Sequence, residues 1–272
     1  SKSAIQIANS HDFIYSTVGI SPNDIADYKK EDLKEIENLA KSPKVVAIGE
    51  IGLDYYWNKE NKDLQKEVFI SQIEIANKLI VIHTREAVYD TLEILKNNNC
   101  NKKGIFHCCP FNVDLVREGL KLGFYISFAG PTTFKNSKNA PEIIKMVPLD
   151  KMLIETDSPY LSPEPFRGKR NDSRNVKYIA QKIAEVKQIP LEEVAKENIL
   201  FNHRTVDRTL SGGNLAQFGI TNFIQGAEWQ AKQSPWISVK DRLPEIGDPC
   251  LIRLKDGTVR LTVLDIDDNS DV

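Results

Sequence analysis

Short apolar runs alternate with longer amphipathic stretches from Tyr15 to Asn198. Val45-Val46-Ala47-Ile48, Leu79-Ile80-Val81-Ile82, Gly104-Ile105-Phe106, Phe124 to Phe128 and Met152-Leu153-Ile154 carry few or no polar residues. Continuous runs of this length are expected of parallel strands covered on both faces. Tyr15 to Ile20 reads as one more strand, closed by a Ser21-Pro22-Asn23-Asp24 turn. Between the strands the spacing changes to that of helices. Leu33, Ile36, Leu39 and Ala40 share a face over Glu31 to Lys41, and Leu64, Val68, Ile75 and Leu79 recur over Lys62 to Lys78. Further helices are predicted over Glu86 to Asn97, Val113 to Leu122, Ala140 to Met146, Val176 to Lys187 and Leu191 to Asn198. Ser3 to Ala8 reads as the last turns of another.

Strand and helix in alternation predict an α/β fold with a parallel sheet and helices outside. Counting up to Asp157 gives six strands, where a closed (β/α) barrel has about eight. The expectation is a TIM-type barrel, residues 1–203, lacking its first two β/α units. Residues 204–235 are polar and glycine-containing and read as a linker. From Trp236 the pattern alternates apolar and polar. Cys250 to Leu254 and Val259 to Leu264 flank a Lys255-Asp256-Gly257-Thr258 turn signal, so 236–272 is predicted to be a small β-rich module.

The length of 272 residues fits one large domain with a small one beside it. A formal net charge of -2 provides no global basic field for nucleic acid, which leaves only local patches for such a role. No apolar run has the length a bilayer requires, so no membrane role is expected. Four cysteines without a CxxC pair argue against a disulfide framework or a zinc knuckle and point to a reducing, cytoplasmic setting. Cys108 and Cys109 read as small buried hydrophobes rather than a redox pair.

The chemistry lies where the strands end. The first apolar run leads into Gly49-Glu50, the next into His83, a third into His107, and the last into Glu155-Thr156-Asp157. In α/β folds the carboxyl ends of the strands share one rim, where sites are built. Two carboxylates and two imidazoles meeting there would suit a divalent transition metal or zinc. Each has a plainer reading: Glu50 paired with Arg85, and His83 as a hydrogen-bonded core histidine. Arg85 either binds a substrate phosphate or pairs with Glu50 or Glu86. Arg167, Lys169 and Arg170 either grip a nucleic-acid backbone or form a solvated loop. Asp54 and Tyr55 either line the pocket or pack as a turn.

Gly49-Glu50-Ile51-Gly52-Leu53-Asp54-Tyr55-Tyr56, Ile82-His83-Thr84-Arg85-Glu86-Ala87, Phe106-His107-Cys108, Ile126-Ser127-Phe128-Ala129-Gly130, Glu155-Thr156-Asp157-Ser158-Pro159-Tyr160-Leu161 and Pro165-Phe166-Arg167-Gly168-Lys169-Arg170-Asn171 occur in this order. The set resembles the TatD family of metal-dependent deoxyribonucleases, within the amidohydrolase-like barrels. The resemblance implies hydrolysis of DNA, single-stranded in the first instance, with magnesium, manganese or zinc. It implies Glu50 as a carboxylate bridging two metals, His83 and His107 as ligands of one, and Asp157 as a ligand of the other. Asp157 would also take the proton of the attacking water. The family's His-x-His strand has no counterpart here. Gly19-Ile20-Ser21-Pro22-Asn23 stands where Gly-x-His-Pro-His is usual. The expectation is therefore one metal site, centred on Glu50, His83 and His107, and weakened activity. Two other readings stay open: an amidohydrolase acting on a C–N or ester bond, and a remnant serving as a scaffold. An open barrel edge would also favour self-association. Trp236 to Pro244 resembles a small phage- and bacteria-associated domain of unknown function.

Overall fold

A computed structural model describes residues 1–11, 14–57, 59–98, 104–196, 249–253 and 259–263. Two compact units divide between Ala227 and Glu228, inside the stretch read as a linker, which lies outside the described residues. In the first unit, α1 (Lys2–Asn9) leads into β1 (Ser16–Val18), followed by α2 (Lys30–Leu39), β2 (Val45–Asp54), α3 (Lys62–Ile75) and β3 (Leu79–Arg85). Then come α4 (Val88–Asn97), β4 (Gly104–Phe106), α5 (Val113–Lys121), β5 (Tyr125–Phe128), α6 (Ala140–Met146), β6 (Met152–Ile154) and α7 (Val176–Lys187). Residues 191–196 form α8. β1 to β6 make one parallel sheet in sequence order, the order of a (β/α) barrel. In the second unit, β7 (Pro249–Arg253) and β8 (Val259–Val263) form an antiparallel pair. The Trp236 segment lies outside the described residues. Among them, no helix is long and apolar enough to cross a membrane.

The core forms where strand and helix faces meet. Ile48, Ile51, Ile80, Ile82, Phe69, Phe106, Phe124, Ile126 and Phe128 are all buried in one cluster. Two buried glutamines on α3 tie strand ends to this layer. Gln65 bonds the N–H and C=O of Asp54 at 2.7 and 3.0 Å. Gln72 bonds the N–H and C=O of Ile20 at 2.8 and 3.0 Å. Each amide satisfies two backbone groups that have no ladder partner, so apolar replacement would orphan both.

Two boundaries differ from the sequence reading. α3 stops at Ile75 rather than Lys78, because Ala76 turns extended, φ -69° and ψ 118°, to feed β3. Leu79 is thus the first strand residue, not part of a helix face. β2 also does not end at Glu50 but continues to Asp54, paired with β3 to Arg85. Ile48 pairs with Ile80 and Ile51 with Ile82, so Gly49 and Glu50 together oppose Val81. That extra residue is a β-bulge. Strict alternation would keep Glu50, Gly52 and Asp54 on the face of Ile48. The bulge exchanges the faces: Ile51 and Leu53 join Ile48 in the core, while Gly52 and Asp54 align with His83 and Arg85.

Candidate metal centre

Glu50, His83 and His107 come together, each offering a ligand atom within 4.8 Å of the others. One oxygen of Glu50 lies 2.7 Å from His107 Nε2, and the other 3.7 Å from His83 Nδ1. Asp157 Oδ1 lies 3.4 Å from His107 Nε2, so the fourth residue named from sequence touches this ring but falls outside the close set of three. Carboxylate oxygen with two imidazole nitrogens is a donor set that fits a divalent cation such as zinc or manganese.

The local fold explains the convergence. His83 pairs with Gly52 across β2 and β3, with Glu50 before it and Asp54 beyond it on the same face. A Cβ on Gly52 would lie 2.0 Å from the His83 carbonyl oxygen, so only glycine lets the strands approach here. His107 is placed by its own N–H, which bonds Ile82 O at 3.0 Å, and Glu155 by its N–H to Phe128 O at 3.0 Å. Asp157 and Cys108 take left-handed backbone conformations, φ 58° and 44°. Side-chain-bearing residues at positive φ concentrate at functional sites.

Two carboxylates that the sequence reading left out of the ligand set hold the imidazoles from behind. Asp54, fully buried, lies 3.0 Å through Oδ2 from His83 Nε2. Burial opposes ionisation of Asp54, yet N–H donors from Trp57 and Tyr56 and the His83 ring outweigh it and hold its carboxyl below the usual range. An ionised carboxylate only accepts, so Nε2 carries the hydrogen and Nδ1 faces Glu50. Glu155 does the same for His107: Oε2 lies 2.7 Å from Nδ1, while Oε1 accepts the Cys108 N–H. Both rings are thus pinned by an outer carboxylate with the inner nitrogen turned to the centre, the arrangement of metal-bound histidines. In sequence Asp54 lies four residues after Glu50 on one face of β2, whereas Glu155 comes just after β6 ends and carries no such spacing signal.

Replacing Glu155 with Gln is expected to weaken cation affinity by roughly 10- to 100-fold with the fold intact. Isothermal titration of Zn²⁺ or Mn²⁺, with circular dichroism alongside, checks this; unchanged affinity would show that His107 needs no outer carboxylate.

Burial alone would lower the His107 pKa, but hydrogen bonds to Asp157, Glu155 and Glu50 and the field of Glu155 raise it far above that of a free imidazole. Glu50 shows the converse: burial opposes ionisation, and contact with His107 and His83 brings its pKa below normal. Without a cation the ring is therefore an imidazolium among carboxylates, and binding must displace the Nε2 proton. Uptake at neutral pH is expected to release about one proton, and affinity to rise with pH. Calorimetry in buffers of differing ionisation enthalpy reads the number directly.

The other predicted residues lie elsewhere. Arg85 makes no ion pair with Glu50 or Glu86; its guanidinium lies 3.9 Å over the Tyr56 ring. Arg167 lies over Phe134 at 4.2 Å and reaches Asn136 at 3.5 Å. Arg167, Lys169 and Arg170 are exposed on the loop after β6. Asn171, nearly buried, ties that loop back by donating to the carbonyls of Thr156 and Tyr160 at 2.6 and 2.7 Å. Tyr55 donates to Asp90 at 2.6 Å, a packed turn rather than a pocket wall. Cys108 and Cys109 are free thiols, and burial pushes Cys109 up to about 12.

Residues 1–205 match the family described as TatD related DNase. The chain is 48% identical over 196 residues to the uncharacterized metal-dependent hydrolase YabD of Bacillus subtilis, covering 71% of this chain and 77% of that protein. It is 40% identical over 195 residues to the uncharacterized metal-dependent hydrolase YcfH of Escherichia coli K12, covering 70% and 72%. Among solved structures, YJJV, a TatD homologue from Escherichia coli K12, superposes with a TM-score of 0.71 at 21% identity, covering 77% of this chain and 82% of that one. A TatD-family hydrolase from Entamoeba histolytica gives 0.66 at 24% identity, covering 76% and 81%. At such identities the structural likeness establishes the barrel fold. The chain belongs to the TatD family.

Proposed function

We propose that this TatD-family chain is a metal-dependent hydrolase of DNA phosphodiester bonds, acting on single strands with magnesium, manganese or zinc. The observation that carries the reading is the cluster of Glu50, His83 and His107, with Asp54 and Glu155 behind the rings. A divalent cation there supplies a Lewis acid and an acidified water. Glu50, His83 and His107 would hold it. Asp157 would complete the ligand set or accept a proton from water, a role its Oδ1 contact with His107 Nε2 at 3.4 Å supports. Arg85 and the exposed Arg167, Lys169 and Arg170 provide cationic groups that favour a phosphate over a neutral amide. Cytosol is the compartment this reading assigns.

The test is metal content of the purified protein, followed by cleavage of single-stranded DNA with Mg²⁺, Mn²⁺ or Zn²⁺ against a His83→Ala control. An amide and a carboxylic ester are assayed in parallel. Metal binding with cleavage above the control supports the reading. No metal and no cleavage above it rejects the reading, and turnover of the amide or ester alone transfers the chain to C–N or ester chemistry.

A further inference from the structure

We infer that Tyr56, Trp57 and Arg85 form a stacking platform for an unpaired nucleobase at the end of β2. This rests on the nuclease reading and names the feature of the substrate that it recognises. Trp57 is 66% exposed and Tyr56 43%, although large aromatic side chains are ordinarily withdrawn from water. Their rings meet edge to face at 4.8 Å. The Arg85 guanidinium sits 3.9 Å from the Tyr56 ring centroid and 5.6 Å from that of Trp57, so the three groups make one aromatic and cationic surface.

The surface is built rather than incidental. Asp54 Oδ1 accepts the N–H groups of Tyr56 at 2.9 Å and Trp57 at 3.0 Å, turning the chain at the end of β2. Tyr55 N–H bonds Arg85 O at 2.9 Å, which fixes the turn against β3. The other oxygen of Asp54 lies 3.0 Å from His83 Nε2. One buried carboxylate therefore locks the platform and a metal-site imidazole in fixed relation. Arg85 lies two residues beyond His83 on the same strand.

A single strand fits this chemistry. Every base has a π-face to lay on a ring or a guanidinium plane, and every linkage has a charge that Arg85 complements. Paired bases present no free face, so the platform selects unpaired strands.

The experiment compares binding of oligodeoxythymidine with that of an abasic strand of equal length and charge, by fluorescence anisotropy. The purified full chain is used without added metal, and strand integrity is verified on a gel. The wild-type protein is expected to prefer the base-bearing strand by about tenfold. Trp57→Ala and Tyr56→Ala are expected to reduce that preference to near parity, and Trp57→Phe to retain most of it. Arg85→Lys, which keeps the charge but loses the planar group, is expected to reduce it in part. Quenching of Trp57 emission by the strand, read as the difference from Trp57→Phe, reports the contact directly. Equal binding of both strands by the wild type, or an unaltered preference in Trp57→Ala, overturns the platform. Hydrolysis of methyl p-nitrophenyl phosphate, a diester with no base, tests the nuclease reading separately. Base preference without hydrolysis sinks that reading and leaves the platform; hydrolysis without base preference does the reverse.

Discussion

Glu50→Gln is expected to lower cation affinity and strand cleavage each by more than about a hundredfold, while the protein stays folded. The lower bound follows from the roughly 10- to 100-fold cost of losing an outer partner of a metal ligand, which loss of a ligand itself should exceed. Glutamine has nearly the same volume, so the bulge that carries position 50 has no steric reason to change. What goes is the charge that faces both imidazoles, 2.7 Å from His107 and 3.7 Å from His83. An amide is a poor ligand for zinc or manganese, and its NH₂ group cannot accept from Nε2. Without a cation His107 keeps Glu155 and Asp157 as partners, so thermal unfolding of the metal-free variant should stay close to that of the metal-free parent. Metal content by mass spectrometry, cleavage rate and melting temperature separate the two effects. A variant that retains its metal and its rate would remove Glu50 from the centre.

Gly52→Ala should cost more than about 4 kcal/mol of stability. Two costs coincide. The backbone sits at φ +137°, where an L side chain is strained, and the added Cβ would lie 2.0 Å from the His83 carbonyl oxygen, a backbone atom that cannot rotate away. Relief requires parting β2 from β3 where they hold Glu50, Asp54 and His83 in relation. Gly123→Ala supplies the control. Its φ is +80°, but a Cβ there meets nothing within 4 Å, so only the backbone cost of about 1–2 kcal/mol applies. Denaturant unfolding of the two variants, or soluble yield if Gly52→Ala does not fold, measures the difference. Equal stabilities would mean that the strands yield at Gly52.

The described helices and strands occur close to where the apolar spacing puts them, because a buried parallel strand must be apolar on both faces and a packed helix must carry a stripe. α3 ran short because a pattern of Leu and Ile at turn spacing cannot show that Leu79 has already entered a strand. The gathering of Glu50, His83 and His107 was legible from their position after apolar runs. Asp54 and Glu155 were visible as residues but not as partners, since nothing in their own neighbourhood tells which ring they will meet.

By itself, then, the chain specified a parallel α/β barrel fold, its family and the residue types gathered at its rim. These follow from local periodicity and from motifs that are read in order. Only the tertiary structure decided that an extra residue at Gly49 and Glu50 exchanges the faces of β2, that Asp54 and Glu155 turn the imidazoles inward, and that Arg85 lies on Tyr56 rather than on Glu50. Each depends on register between strands separated by tens of residues. A period of two fixes which side chains share a face but carries no record of where the ladder slips.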